Sequence, residues 1–268
     1  MFITFYYRLP GRDGKGARVN KDQIIKSVDS SLERLGTDYI DLIQIHWPDR
    51  YVPIFGAQEY DLKQERDAVS FEEQLEALKT LVDAGKIRYV GVSNETPYGL
   101  MKFCEVADRL GLPKICSIQN SFSLITRSQI EQGISEVCSE RNENIGLLAY
   151  SPLAGGILTG KYRGSKESTA KSRLTLFEGF MDRYLQSDAQ VAVNGYCSLA
   201  EEIGLTPAEL ALAWCYSRDY VCSSIIGATT LNQLKENMGA VLLKDKITED
   251  VCKSINSIHK KCMDPSKT

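Results

Sequence analysis

The chain has 268 residues, 43% apolar and 25% charged, with a net charge of −3, a length that fits one α/β barrel, one large sandwich, or a domain with a small appendage. These ordinary apolar and charged fractions exclude the disordered, collagen-like and membrane classes, and no apolar run nears the roughly 20 residues needed to cross a bilayer. Charges of both signs mix along the chain, so neither nucleic acid nor a membrane surface is expected as a partner.

In chain order, the aromatic start Met1-Phe2-Ile3-Thr4-Phe5-Tyr6-Tyr7 lacks a basic region and a long apolar stretch, so it makes a poor signal peptide. Asn20 with Gln23 forms a capping pair for a helix whose apolar face is Ile24, Ile25, Val28, Leu32 and Leu35, stopped by Gly36. The β-rich run Tyr39 to Ile45 ends at His46-Trp47-Pro48. After a loop from Asp49 to Val69, Ser70 with Glu73 opens a helix carrying Phe71, Leu75, Leu78 and Val82 and ended by Gly85. Trp47 and Tyr51 suggest aromatic walls beside this loop, with surface packing as the alternative.

The alternation continues with a strand from Arg88 to Val92 and a helix opened by Thr96-Pro97 and closed by Gly111. A strand from Ile115 to Ile118, a helix over Ser128 to Arg141 and a strand from Ile145 to Ala149 follow. Beyond a Gly-, Lys- and Ser-rich loop come helices over Asp188 to Ile203 and after Thr206-Pro207, where Glu209 completes a capping box. Val221 to Ile226 is the last strand, and helices from Thr230 to Ala240 and Thr248 to Lys260 close the chain. Strands alternating with helices mean a parallel sheet joined by right-handed crossovers, and short apolar strands mean that both faces are covered. About five strands are readable, against eight in a closed barrel. No linker divides the chain, so one domain over residues 1–268 is expected.

Cysteines at 104, 116, 138, 197, 215, 222, 252 and 262 form no C-x-x-C pair, and His46 and His259 are the two histidines. Reduced, mostly core-filling thiols are expected, without a metal site. A cytoplasmic protein is the corresponding reading, with a plastid as the alternative if a longer form carries a transit peptide.

In a parallel α/β barrel the chemistry gathers at the carboxyl ends of the strands. Those ends are His46-Trp47, Ser93-Asn94, Gln119-Asn120, Tyr150-Ser151 and Gly227-Ala228-Thr229. Singly, each reads equally as a structural side chain or a turn; together they point to a ligand pocket. The stretch Gly155-Gly156-Ile157-Leu158-Thr159-Gly160-Lys161-Tyr162 nearly matches a phosphate loop, but Tyr162 replaces the Mg²⁺-binding hydroxyl, which argues against nucleotide hydrolysis. It suits a strap over a diphosphate, or else a flexible exposed loop. Gly227 to Gln233 reads as a strand, a Gly turn and a helix start, where backbone N–H groups bind phosphate or simple capping suffices.

The runs Ser31-Leu32-Glu33-Arg34-Leu35-Gly36-Thr37-Asp38-Tyr39-Ile40-Asp41-Leu42, Gln44-Ile45-His46-Trp47-Pro48 and Gly85-Lys86-Ile87-Arg88-Tyr89-Val90-Gly91-Val92-Ser93-Asn94 recur in one known family. With Ile118-Gln119-Asn120, Ala149-Tyr150-Ser151-Pro152-Leu153-Ala154-Gly155-Gly156, Thr159-Gly160-Lys161-Tyr162 and Ile226-Gly227-Ala228-Thr229-Thr230, they resemble the aldo-keto reductase superfamily over about residues 20 to 265. The resemblance is closest to the branch of bacterial and plant reductases and potassium-channel β subunits. It implies a (β/α)8 TIM-type barrel that binds NADPH and reduces aldehydes or ketones.

By the same resemblance, His46 would polarise the substrate carbonyl, Ser93, Asn94 and Gln119 would bind the nicotinamide carboxamide, and Tyr150 would stack on its ring. Ser151, Leu153, Gly155 and Lys161 would line the diphosphate strap. Gly227, Thr229, Gln233, Glu236 and Asn237 would hold the adenosine and its 2′-phosphate. The family's general-acid Tyr and its Asp and Lys partners come from the first three strands, and Tyr6 stands where the Lys is expected. The resemblance therefore implies an N-terminally truncated, incomplete barrel lacking two βα units, with exposed sheet edges. An NADPH-dependent carbonyl reductase is the leading expectation; an NADPH-binding regulatory or interaction protein without turnover, or an unstable fragment, are the alternatives.

Overall fold

A computed structural model describes residues 3–6, 18–53, 59–163, 172–177, 179, 181–185 and 187–267. The chain divides into two units, one of Met1–Ile54, Glu59–Asn120 and Gly133–Leu147, the other of Phe55–Gln58, Ser121–Gln132 and Leu148–Thr268.

The first unit alternates strand and helix: β1 (Ile3–Tyr6), α1 (Lys21–Leu35), β2 (Ile40–Ile45), α2 (Phe71–Asp83), β3 (Ile87–Ser93), α3 (Pro97–Leu110), β4 (Ile115–Ser121) and α4 (Ser135–Cys138). The strands lie in the order β1-β2-β3-β4 and every pairing is parallel, with Ile3 opposite Leu42, Gln44 opposite Gly91, and Gly91 opposite Ser117. Ile40, Ile43, Ile45, Val90, Val92 and Ile118 are buried, and helix faces supply Ile24, Val28, Leu75, Leu78, Leu81, Leu100 and Phe103.

Most local signals act as the sequence predicts. Asn20 Oδ1 accepts from the Gln23 N–H at 3.0 Å, and Gly36 at φ +63° ends α1. The Gln23 side chain does not close the capping box but accepts from the Arg18 N–H at 2.8 Å. In α2 Leu75 and Leu78 are buried as expected and Leu81 is buried beside them, while Phe71 and Val82 are half-buried. Leu35, expected on the apolar face of α1, is exposed.

One buried carboxylate ties three segments of this unit. Asp49, 2% exposed, accepts from Arg18 Nε at 3.0 Å, from the Val19 N–H at 2.8 Å and from the Val69 N–H at 2.8 Å. It thereby joins the entry to α1, the loop after β2 and the approach to α2. Burial alone raises a carboxyl pKa, but the hydrogen bonds from Arg18, Val69 and Val19 together hold Asp49 below its ordinary value.

The second unit takes over along β5 (Gly146–Tyr150) and holds α5 (Arg173–Leu176), α6 (Ser187–Glu202), α7 (Pro207–Tyr216), β6 (Val221–Ile225), α8 (Leu231–Gly239) and α9 (Glu249–Lys261). Its core is α7, apolar on every side and opened by the expected Thr206–Glu209 capping box. Trp214 is buried against Phe122, with ring centroids 4.9 Å apart, and the Arg127 guanidinium lies 4.9 Å from the Trp214 ring. Asp264 returns from the C-terminal end to accept from the Arg127 and Ser128 N–H groups at 2.7 and 2.9 Å.

Three expectations are corrected. The helix over Ser128 to Arg141 is a π-type turn at Ile130–Ile134 followed by one α turn at Ser135–Cys138; the Ser139 N–H bonds to Glu136 and ends it. β6 is not covered on both faces: Cys222, Ser223 and Ile225 are exposed, and β5 is its strand neighbour in this unit. Its Cys-Ser-Ser centre provides little apolar surface to bury. The eight thiols are all free, but only Cys104, Cys138, Cys197 and Cys215 are buried, while Cys116 and Cys222 are exposed on strands. Six strands lie among the described residues where about five were readable, Ile3–Tyr6 being the addition.

Asp49→Ala should lower stability by about 2–4 kcal/mol, because the Val19 and Val69 N–H groups lose their acceptor. A carboxyl held below its unfolded pKa stabilises above about pH 4 and loses that contribution as pH falls through the folded value. Urea titrations at pH 7 and pH 3 should therefore show a smaller gap between wild type and variant at pH 3.

Candidate active site

The side-chain alternation of parallel strands places the candidate site residues of the first unit. On one face Gln44, Gly91 and Ser117 lie side by side, and two residues further along each strand come His46, Ser93 and Gln119. Within the lower row the Gln44 amide and the Ser117 hydroxyl are buried without hydrogen-bond partners among the described residues. Gly91 is required between them, since a Cβ there would run into Ser117 Oγ and the Ser117 carbonyl.

The tip row is closely cross-bonded. Ser93 Oγ donates to the Gln119 carbonyl at 2.7 Å, and the Asn94 N–H donates to the same oxygen at 3.1 Å. Asn94 Nδ2 donates to the His46 carbonyl at 2.8 Å and to Ser93 Oγ at 3.1 Å. Asn94 has φ +56°, a left-handed conformation that Asn tolerates better than most residues. Ser93, Asn94 and Gln119 are buried, and among the described residues the Gln119 side-chain amide has no hydrogen-bond partner. His46 stacks on Trp47 with centroids 5.0 Å apart, and burial pushes its imidazole pKa below the ordinary value. The ring is therefore neutral at neutral pH and offers one donor and one acceptor. Tyr51 packs on Tyr60 at 5.2 Å and accepts from the Asp61 N–H.

The remaining predicted residues lie in the second unit. Tyr150 ends β5, and burial raises its phenol pKa to about 12. Ser151 (φ +54°) and Ala154 (φ +47°) turn the chain into a 3-10 segment, where the Leu153 carbonyl accepts from the Gly156 N–H at 2.8 Å. Gly155 and Gly156 have φ +67° and +97°, and a Cβ on Gly156 would sit 3.1 Å from Lys161 Nζ. Among the described residues the glycines lie in a short 3-10 segment at Ala154–Thr159 and are followed by another at Lys161–Arg163, unlike a phosphate loop. Further on, Gln233 Oε1 accepts from the Thr229 N–H and hydroxyl at 2.9 and 3.0 Å. Asn237 Nδ2 donates to the Gly227 carbonyl at 3.2 Å, and Glu236 accepts from the Thr206 hydroxyl at 2.7 Å. Thr230 caps α8, so the capping alternative holds for that residue.

Sequence reasoning did not single out Arg50 or Glu95, which form a bidentate ion pair immediately beyond two of the tips. The available signal was opposite charge directly after His46-Trp47-Pro48 and Ser93-Asn94, a pattern that alone reads as solvated loop. Of Tyr6 only the backbone is described, and Tyr7 lies outside the described residues.

Parallel strands with intervening helices and polar groups at the strand tips define an α/β fold of the (β/α)8 type. The chain belongs to the Aldo/keto reductase family, whose model matches residues 6–260. It is 42% identical over 256 residues to an aldo-keto reductase of Babesia bovis, covering 92% of this chain and 90% of that protein. It is 43% identical to Protein tas of Escherichia coli, over 93% of this chain and 72% of that protein. It is 32% identical to a probable voltage-gated potassium channel subunit beta of Arabidopsis thaliana, over 93% and 70% respectively. The family match over residues 6–260 gives no support to the expected loss of a leading segment. The family is one of oxidoreductases.

Burial lowers both imidazoles, so in an NMR titration His46 and His259 should protonate below the ordinary value near 6.5. His46→Gln, which removes one of the two signals, assigns them; titration of His46 at or above 6.5 would contradict its desolvation.

Proposed function

We propose that the chain works as one domain over residues 1–268 and is an NADPH-dependent reductase that converts aldehydes or ketones to alcohols by hydride transfer. The observation that carries this reading is the single hydrogen-bonded cluster of His46, Ser93, Asn94 and Gln119 at the ends of three parallel strands.

The residues suit the cofactor. The Gln119 amide, which bonds to no other described residue, offers a donor and an acceptor to a carboxamide, whereas the Ser93 and Asn94 donors are engaged in the cross-bonds beside it. Gly156 keeps backbone close to Lys161 Nζ without a side chain between, which fits a diphosphate strap lined by Ser151, Leu153 and Gly155. Tyr150 is assigned to the nicotinamide ring, and Gly227, Thr229, Gln233, Glu236 and Asn237 to the adenosine and 2′-phosphate.

When bound, the dihydronicotinamide supplies the hydride. Neutral His46 donates a hydrogen bond to the carbonyl oxygen and so favours the charge that develops there. Reduction also needs a proton, and a positioned acid is typically worth 10²–10⁴-fold. The Tyr, Asp and Lys set implied by the resemblance is not assigned to particular residues. A cytoplasmic location is proposed, with a plastid as the alternative for a longer form; among the described residues no helix is long and apolar enough to cross a membrane.

A second reading, NADPH binding without turnover in a regulatory or interaction role, is favoured by the relatives named as potassium channel β subunits. The two separate in one experiment. NADPH titration followed by fluorescence should show saturable binding, weakened at least tenfold by Lys161→Ala or Gln233→Ala. NADPH consumption with a nitrobenzaldehyde supports the reductase, with His46→Ala lowering kcat/KM by 10²-fold or more. Binding without consumption supports the second reading, and no saturable binding defeats both.

A further inference from the structure

Beyond the tips, two charged residues meet in the interior of the first unit. Arg50 lies four residues after His46, and Glu95 directly follows Asn94. Arg50 Nη1 and Nη2 donate to Glu95 Oε1 and Oε2 at 2.9 and 2.7 Å, a two-point geometry that fixes angle as well as distance. The Glu95 side chain is 3% exposed and that of Arg50 19%. The surroundings hold both ends in place. Arg50 Nη2 also donates to Thr96 Oγ1 at 3.1 Å, and its guanidinium faces the Phe71 and Tyr98 rings at 5.4 and 5.8 Å. Glu95 Oε2 accepts from the Thr96 N–H at 3.1 Å, while the Glu95 carbonyl accepts from Asn120 Nδ2 at 2.8 Å. Gly99 leaves the necessary room, since a Cβ there would collide with both Glu95 Oε2 and Arg50 Nη2.

A buried ion pair is a poor source of net stability, because desolvation offsets most of the attraction. What this one supplies is a fixed relation between the loop after β2 and the loop after β3. Those loops begin with His46 and Asn94, and Asn94 holds a left-handed conformation that its hydrogen-bonded neighbours support. Three hydrogen bonds constrain Asn94 from its own side chain and N–H, and the bidentate pair constrains the next residue.

We propose that Arg50 and Glu95 are positioning residues that clamp the His46 and Asn94 tips together and so preorganise the nicotinamide-binding half of the site. This rests on the reductase site assigned above, although the clamp itself is visible without cofactor. It touches neither substrate nor cofactor; it sets the geometry of groups that do.

The test uses the full chain, Glu95→Gln, and the double variant Glu95→Gln/Arg50→Met, which removes both charges and leaves none stranded. Binding of NADPH is compared with binding of 2′-phospho-ADP-ribose, which shares the adenosine and diphosphate but lacks nicotinamide. The expected result is a 5- to 20-fold weaker Kd for NADPH, an unchanged Kd for the fragment, and faster hydrogen exchange at the Asn94 amide without ligand. Glu95→Asp with wild-type Arg50 should recover part of the loss. An equal change for both ligands, or none for either, overturns the clamp while leaving the cofactor assignment standing. Failure of the wild-type chain to bind either ligand overturns the site assignment and the inference with it; unaltered Asn94 exchange in folded variants overturns the clamp alone.

Discussion

The left-handed backbone of Asn94 is the constraint on which the rest of the first unit's tip geometry depends. Where parallel strands end, the regular ladder stops and the next peptide groups need other partners. Here the Asn94 N–H bonds to Gln119 of the neighbouring strand, and its side chain reaches back to the carbonyl of His46 on the other side. One residue thus replaces two ladder interactions and spans three strands. Asn suits the place because it tolerates positive φ and carries a short amide whose donor can serve two acceptors. A β-branched residue would meet the steric penalty and provide no bonds in return.

The polar interior follows from the same requirement. Most ion pairs among the described residues are exposed, such as Lys79–Asp83 and Lys253–Asp250, and such pairs contribute about 0–1 kcal/mol each. Asp49 and Glu95 differ in being buried, and each stands in a loop following a strand tip. Their environments nevertheless act in opposite senses. Asp49 accepts from two backbone N–H groups and Arg18, and these outweigh its burial; for Glu95 desolvation dominates and raises its carboxyl pKa despite Arg50. Asp49 anchors backbone segments to one another, whereas Glu95 meets its main partner through a side chain. Loss of a backbone anchor should loosen the unit broadly, and loss of a side-chain clamp should act on the tips.

Local chemistry made much of the fold legible. Asn20, Ser70, Thr96, Thr206 and Thr248 each cap the helix that the sequence assigns to them, because a short oxygen-bearing side chain ahead of an apolar face has few other uses. The strand tips were legible for a similar reason, since polar residues that end apolar runs in a parallel sheet must lie at its carboxyl edge. What was not legible depended on distant partners. The helix over Ser128 to Arg141 has the right spacing, but its start is tied to Asp264, some 136 residues away, and its backbone adopts a wider turn. Arg50 and Glu95 are 45 residues apart, and neither carries a local sign of burial. The exposure of β6 depends on what surrounds it, which its own residues do not state.

The two groups of proposed cofactor residues differ in how far they are prepared for a ligand. In the first unit Ser93, Asn94 and Gln119 are buried, and the cross-bonds among them leave the Gln119 amide available. In the second unit Thr229 and Gln233 are exposed and bond to each other, so a ligand taking Gln233 Oε1 must first release the Thr229 N–H. Asn237 is buried on the Gly227 carbonyl, which makes it a brace for the turn more than a free contact. Glu236 holds the Thr206 hydroxyl, and a carboxylate beside a phosphate would be repulsive unless a cation or that hydroxyl intervened. Under the proposed function, nicotinamide would therefore meet a preformed surface and adenosine one that rearranges. Preorganisation lowers the entropic cost of binding, so orientation at the reacting end is obtained from rigidity, and the adjustment falls on the end remote from chemistry.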